Sequence, residues 1–122
     1  MYPFSQIASQ RPVRPRNQMT AEVTVECPSE HELVIRVSGR LGLNAHHDFR
    51  QAYMPHVRGL TKCEVNLQGC TGIDSSGMAI LLILRDQAKL EPEQFSITHC
   101  NPEVYKVLGY ANFDQIFTVK AL

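Results

Sequence analysis

The sequence predicts an α/β fold with a mixed sheet, on three observations. Two alternating strand patterns follow one another across a tight turn at Pro28-Ser29-Glu30. Strand-like and helix-like segments then alternate to the end of the chain. Between them, the glycine-flanked turn Gly72-Ile73-Asp74-Ser75-Ser76-Gly77 runs straight into seven residues, Met78 to Leu84, that carry no polar side chain. A hairpin pairs its strands antiparallel, whereas strands separated by helices pair in parallel through right-handed crossovers. The 122 residues suffice for one domain with an ordinary core and are too few for two.

Residues 1–18 hold three of the seven prolines, Pro3, Pro12 and Pro15, among Ser, Gln and Arg, the composition of a flexible tail ahead of a domain over residues 19–122. From Ala21, Val23 and Val25 alternate with Glu22, Thr24 and Glu26, as in a half-buried strand. Leu33, Ile35 and Val37 alternate in the same way up to Gly39, completing the hairpin. Asn44 is placed to cap a helix from Ala45 to about Arg58, in which Phe49, Ala52, Tyr53, His56 and Val57 keep helical spacing. Pro55 removes a backbone hydrogen bond there and clashes with the Gln51 carbonyl, so that helix should kink or end early. Lys62 to Leu67 reads as a central strand, with turn residues from Gln68 to Gly72.

The next helix, about Ser75 to Leu90, is apolar on nearly every face of its first half. It is therefore either buried on several sides or presents an apolar stripe to a partner. Phe95, Ile97 and Thr98 form a strand after the Pro92 exit. Asn101-Pro102 is an N-cap followed by proline at the first helical position, with Val104, Val107, Leu108 and Ala111 as the buried stripe. Phe113, Ile116, Phe117 and Val119 end the chain as a short turn and an edge strand.

Composition excludes several functions. Twelve basic and twelve acidic side chains cancel. With Arg11, Arg14 and Arg16 of the tail set aside, nine basic residues face twelve acidic ones, so the domain is no nucleic-acid binder and its partners should be proteins. Cys27, Cys63, Cys70 and Cys100 include no CxxC pair, which argues against a zinc or thioredoxin-type site; Cys27, Cys63 and Cys100 lie in strand-like stretches where buried free thiols are common. His46 and His47 are neighbours on a helix, face about 100 degrees apart, and are not metal ligands. No apolar run approaches the roughly 20 residues that span a bilayer, and no signal peptide is visible. A cytoplasmic protein with no cofactor, no metal and no membrane insertion is expected, as a monomer or weak dimer.

The serine turn admits three readings. Gly72 to Gly77 matches GxxxxG, but Met78 stands where a phosphate-binding loop needs lysine. A nucleophile elbow needs GxSxG and the turn is GxxSxG, while His46, His47, His56 and His99 are scattered. Catalysis is thus set aside. An ordinary cap would account for Asp74 and Ser75 in isolation. A helix N-terminus with a serine hydroxyl near solvent is also a favourable place for a phosphate, which points to a serine that is modified or recognised.

Over Ala21 to Val119 the sequence resembles the STAS family of bacterial anti-sigma factor antagonists. The resemblance rests on Gly39-Arg40-Leu41 closing the hairpin, Asn66-Leu67-Gln68-Gly69 at the family's Asp-Leu-Ser-Gly, and Ile73-Asp74-Ser75-Ser76-Gly77 before an apolar helix. It also rests on the segment Leu108 to Phe117, where Asn112 takes a helix C′ glycine's place. The resemblance implies helices packed mainly on one face of the sheet and a non-enzymatic module that binds an anti-sigma factor or serine kinase. It implies phosphorylation at Ser75, reversed by a serine phosphatase, and docking through Gly72, Asp74, Ser75, Ser76, Gly77 and Met78. An alternative within the family is an unphosphorylated adaptor subunit of an ABC transporter, such as a lipid transporter. Asn66 and Gly42 stand where the family has aspartates, at positions the resemblance places near the serine turn.

Overall fold

The structure, a computed structural model, describes residues 21–122. The expected tail, 1–18, lies outside the described residues. Strands β1 (Ala21–Ser29) and β2 (Glu32–Leu41) form the hairpin, with Val23 opposite Val37 and Val25 opposite Ile35. There follow helix α1 (His46–Tyr53), β3 (Lys62–Ile73), α2 (Ser75–Ala88), β4 (Phe95–Cys100), α3 (Pro102–Tyr110) and β5 (Thr118–Ala121). The sheet order is β1-β2-β3-β4-β5, antiparallel for the first pair and parallel for the rest, with β5 at the expected edge.

Strand alternation decides where the core lies. Leu33, Ile35 and Val37 of β2, Cys63, Val65 and Leu67 of β3, and Phe95 and Ile97 of β4 are all buried. Phe49 and Tyr53 of α1, Ile80, Leu81 and Leu84 of α2, and Val104 and Leu108 of α3 join them in one core. Phe117 meets Phe95 edge-on, ring centres 4.8 Å apart, and closes the far side. The opposite face keeps polar residues such as Glu22, Thr24, Arg36 and Ser38, with Asn66 and Thr98 as the buried polar exceptions.

Four expectations change. Asn44 does not cap α1: a 3-10 turn, Leu43–Ala45, comes first, and the cap position is Ala45 with no side-chain bond. The helix ends early at Tyr53, as Pro55 requires, and Pro55 sits in a separate 3-10 turn, Met54–His56. The segment Gln68–Gly72 is strand rather than turn, because β2 also runs on past Gly39 and pairs Ser38 with Gly69, Gly39 with Cys70 and Leu41 with Ile73. Those pairings satisfy the backbone groups that a turn would have left to solvent. Cys27 is exposed on β1, whereas Cys63, Cys70 and Cys100 are buried. Helix α2 stops at Ala88, two residues short of Leu90, where Lys89 takes left-handed dihedrals. Asn112 is left-handed too, at φ 61°, in the place the family reserves for glycine. Arg85 of α2 donates its Nε–H to the Ile116 carbonyl at 3.1 Å, fastening the helix to the C-terminal turn.

Candidate functional site

Parallel strands β2 and β3 end side by side, with Leu41 opposite Ile73, and the serine turn begins there. The Asp74 N–H donates to the Leu41 carbonyl at 3.3 Å, extending the pairing by one residue. Asp74 keeps an extended backbone, accepts the Gly77 N–H on Oδ1 at 2.9 Å, and starts α2. The cap is therefore the aspartate, leaving both serines free of that duty.

Gly77 is buried because the helix start lies directly on β2. A Cβ there would overlap the Leu41 carbonyl oxygen and come within 2.9 Å of Ile73 Cγ1. Gly42 is close as well: a Cβ on it would stand 2.6 Å from Asp74 Oδ2. The position that bears an aspartate in the family is thus filled here by the carboxylate of Asp74. Arg40 Nη2 lies 3.9 Å from the same oxygen, an ion pair between half-exposed groups, and Gly72 leaves room for that guanidinium. A pair so exposed adds little stability, so its importance is to the charge seen from outside.

Ser75 is the first residue of α2, is exposed, and its hydroxyl makes no hydrogen bond to the described residues. Ser76 and Met78 are half-buried, and Met78 packs on the core. Ala79, Leu82 and Ile83 follow Ser75 at spacings of four, seven and eight, which put them on the same side of the helix. Leu82 and Ile83 are 40% and 39% exposed, large values for aliphatic side chains on a helix of the core. Leu43, in the 3-10 turn after Gly42 that packs against this helix, is 72% exposed. The hydroxyl is thus rimmed by apolar side chains, one charged pair and a helix N-terminus.

Of the residues expected at the site, Gly72, Asp74, Ser75, Ser76 and Met78 reach or border the surface, and Gly77 lies beneath it. Asn66 is elsewhere. It pairs with Arg36 and Thr98 in mid-sheet, five β2 residues and roughly 15 Å from the Leu41 end. Leu43 escaped the sequence reading because a lone leucine between glycine and asparagine has no periodic partner. Leu82 and Ile83 were visible as part of an all-apolar helix, without a sign of which side would stay uncovered.

The histidines remain apart: His56 Nδ1 lies 3.5 Å from Cys27 Sγ and His99 Nδ1 lies 3.0 Å from Thr98 Oγ1. No group of three or more His, Cys, Asp or Glu able to hold a metal occurs among the described residues. The buried cysteines are poor nucleophiles. Burial, with the Glu64 charge adding to it, pushes the Cys63 thiol up to about 12; burial raises Cys70, and burial with neighbouring Cys70 raises Cys100 to about 11. No helix among the described residues is long and apolar enough to cross a membrane.

The family model described as Mlab, STAS domain, matches residues 28–120. The chain belongs to the STAS family. A STAS-domain containing protein of Pseudomonas aeruginosa (strain UCBPP-PA14) is 42% identical over 88 residues, which are 72% of this chain and 87% of that protein. The STAS fold itself is shared with an anti-sigma factor antagonist from Mycobacterium paratuberculosis, at TM-score 0.70 and 20% identity over 84% of this chain and 86% of that one. It is shared equally with the anti-sigma factor antagonist SpoIIAA in its unphosphorylated form, at TM-score 0.68 and 18% identity over 80% and 87%.

Proposed function

We propose that this chain is a non-enzymatic, protein-binding regulatory module of a partner-switching system, an anti-sigma factor antagonist controlled by phosphorylation of Ser75. One observation carries the reading: the Ser75 hydroxyl stands exposed and unbonded among the described residues at the start of α2, because Asp74 has taken the cap. The unphosphorylated protein docks by the turn from Gly72 to Met78 and by the apolar rim of Leu43, Ala79, Leu82 and Ile83. A serine kinase and a serine phosphatase set its state. A phosphate on Ser75 would bring about 1.5 to 2 negative charges beside the Asp74 carboxylate. The helix N-terminus tolerates that charge within the fold, whereas a partner surface fitted to a neutral hydroxyl meets unpaired charge and bulk. The structures of antagonists that share the fold support this role, one of them described in an unphosphorylated form.

The test compares Ser75→Ala and Ser75→Asp proteins for binding to the partner captured by the wild-type chain. Ser75→Ala should bind as wild type does and Ser75→Asp at least about tenfold more weakly, a cost of about 1.4 kcal/mol. Equal affinities would sink the switch. The family description, Mlab and not antagonist, favours a second reading in which α2 makes a permanent contact and the chain is an adaptor subunit of an ABC transporter, such as a lipid transporter. Stable co-purification with an ATPase subunit, with no phosphopeptide containing Ser75, would select it.

A further inference from the structure

On the face of the sheet away from the helices, β1, β2 and β3 enclose a hollow of about 440 Å³ bordered by Glu22, Thr24, Arg36, Ser38, Asn66 and Gln68. Its origin is local. Between the pairs Arg36–Asn66 and Ser38–Gly69, β3 advances three residues while β2 advances two, and the extra residue bows the strand. Gly69 follows the bulge because β2 lies too close for a side chain, a Cβ on it standing 2.8 Å from Ser38 Cβ.

Asn66 is 94% buried in this hollow, at 6% relative exposure. Its Oδ1 accepts the Gln68 N–H at 2.9 Å, which fixes the amide orientation because only the oxygen can accept. Its Nδ2 therefore carries two N–H donors with no acceptor among the described residues. A buried amide donor left so is costly, and burial of this kind calls for a visiting acceptor.

The surrounding groups narrow its chemistry. Glu22 is an acceptor only, and Thr24, Ser38 and Gln68 both give and accept. Arg36 is already engaged, its Nη2 donating to Glu26 Oε1 at 3.0 Å. Glu22 and Arg36 are the charged residues of the lining, and with Arg36 committed to Glu26 the hollow offers no free cation among the described residues, which disfavours phosphates and carboxylates. A hydroxyl is a small uncharged group that accepts from an amide N–H while donating to a carboxylate. We propose that this hollow is a binding site for an uncharged, hydroxyl-rich small molecule of the polyol or sugar class, with Asn66 Nδ2 as its central donor and Glu22 as its acceptor.

The test is a titration of the ¹⁵N-labelled full chain, in separate series, with glycerol, myo-inositol, glucose and sodium phosphate. The expected result is a saturable shift of the Asn66 side-chain amide and of the Ser38, Gln68 and Gly69 backbone amides with at least one hydroxylic probe, and none with phosphate. Asn66→Asp keeps the acceptor for Gln68 but loses the donor, and should weaken that binding about tenfold. Glu22→Gln, at an exposed position that does not threaten folding, should weaken it as well. The proposal is overturned if no hydroxylic probe gives a saturable shift, if phosphate gives the same one, or if neither variant weakens it.

Discussion

Helices α2 and α3 begin in the same way and end up in different roles. Each follows a parallel strand, and each is capped by an Asx side chain in extended backbone: Asp74 Oδ1 takes the Gly77 N–H at 2.9 Å, and Asn101 Oδ1 takes the Val104 N–H at 2.8 Å. At the second start everything is consumed internally, since Asn101 Nδ2 also donates to the Cys70 carbonyl and Pro102 has no N–H to offer. At the first start the cap is charged, its second oxygen faces only Arg40 and the space over Gly42, and the next residue is an exposed serine. The cap alone distinguishes nothing; its neighbours make one start a surface and the other a joint.

Alkali should produce the largest effect, and at the second start. Cys100 immediately precedes Asn101, Cys70 supplies its carbonyl partner, and both thiols are raised, as is Cys63. A thiol whose pKa in the fold exceeds its ordinary 9.0 stabilises the fold fully below pH 9 and loses that contribution as pH rises through about 11 and 12. The urea midpoint should hold up to pH 9 and fall beyond it, with Cys100→Ala blunting the fall; a midpoint flat to pH 12 would contradict the burial argument.

Glycine substitutions come next and have opposite signs at the two helices. Gly77→Ala should cost about 3 kcal/mol, because the helix start must lift off the Leu41 carbonyl. Gly109→Ala in α3 meets nothing within 4 Å and should stabilise by about 0.5 kcal/mol, both read from chemical denaturation. Removing the caps is a smaller contrast: about 2 kcal/mol for Asn101→Ala, which loses two hydrogen bonds, against about 1 kcal/mol for Asp74→Ala. If Asp74→Ala proves the costlier, the first start is a structural joint as much as a surface. Ser75→Ala should change stability by less than about 0.5 kcal/mol in the same assay, in keeping with a hydroxyl that bonds to none of the described residues.

Both caps and the early end of α1 were legible because each depends on residues within four positions of one another, the hairpin because its alternation runs through two adjacent strands, and the left-handed Asn112 because the family resemblance supplied it. What was not legible depends on distant partners. Gln68 to Gly72 has the composition of a turn, and only its pairing with the extension of β2 makes it strand. Asn44 is a good cap residue in the wrong place, since the turn at Leu43–Ala45 shifts the helix start past it. The serine turn could be found from its own residues, whereas its apolar rim could not. Whether Leu43, Leu82 and Ile83 stay uncovered is decided by how α2 lies against the loop after β2.

Helix α2 is clamped twice. Gly77 rests on the Leu41 carbonyl, and Arg85, eight residues and about 12 Å further along, is tied to Ile116. Clamped at two points, the helix behaves as a fixed straightedge: it can neither slide along its axis nor pivot about its start without breaking one of them. Under the proposed switch, a phosphate on Ser75 would therefore act without moving the helix. Its effect would be legible only from outside, as a change in what the edge presents to whatever is laid against it.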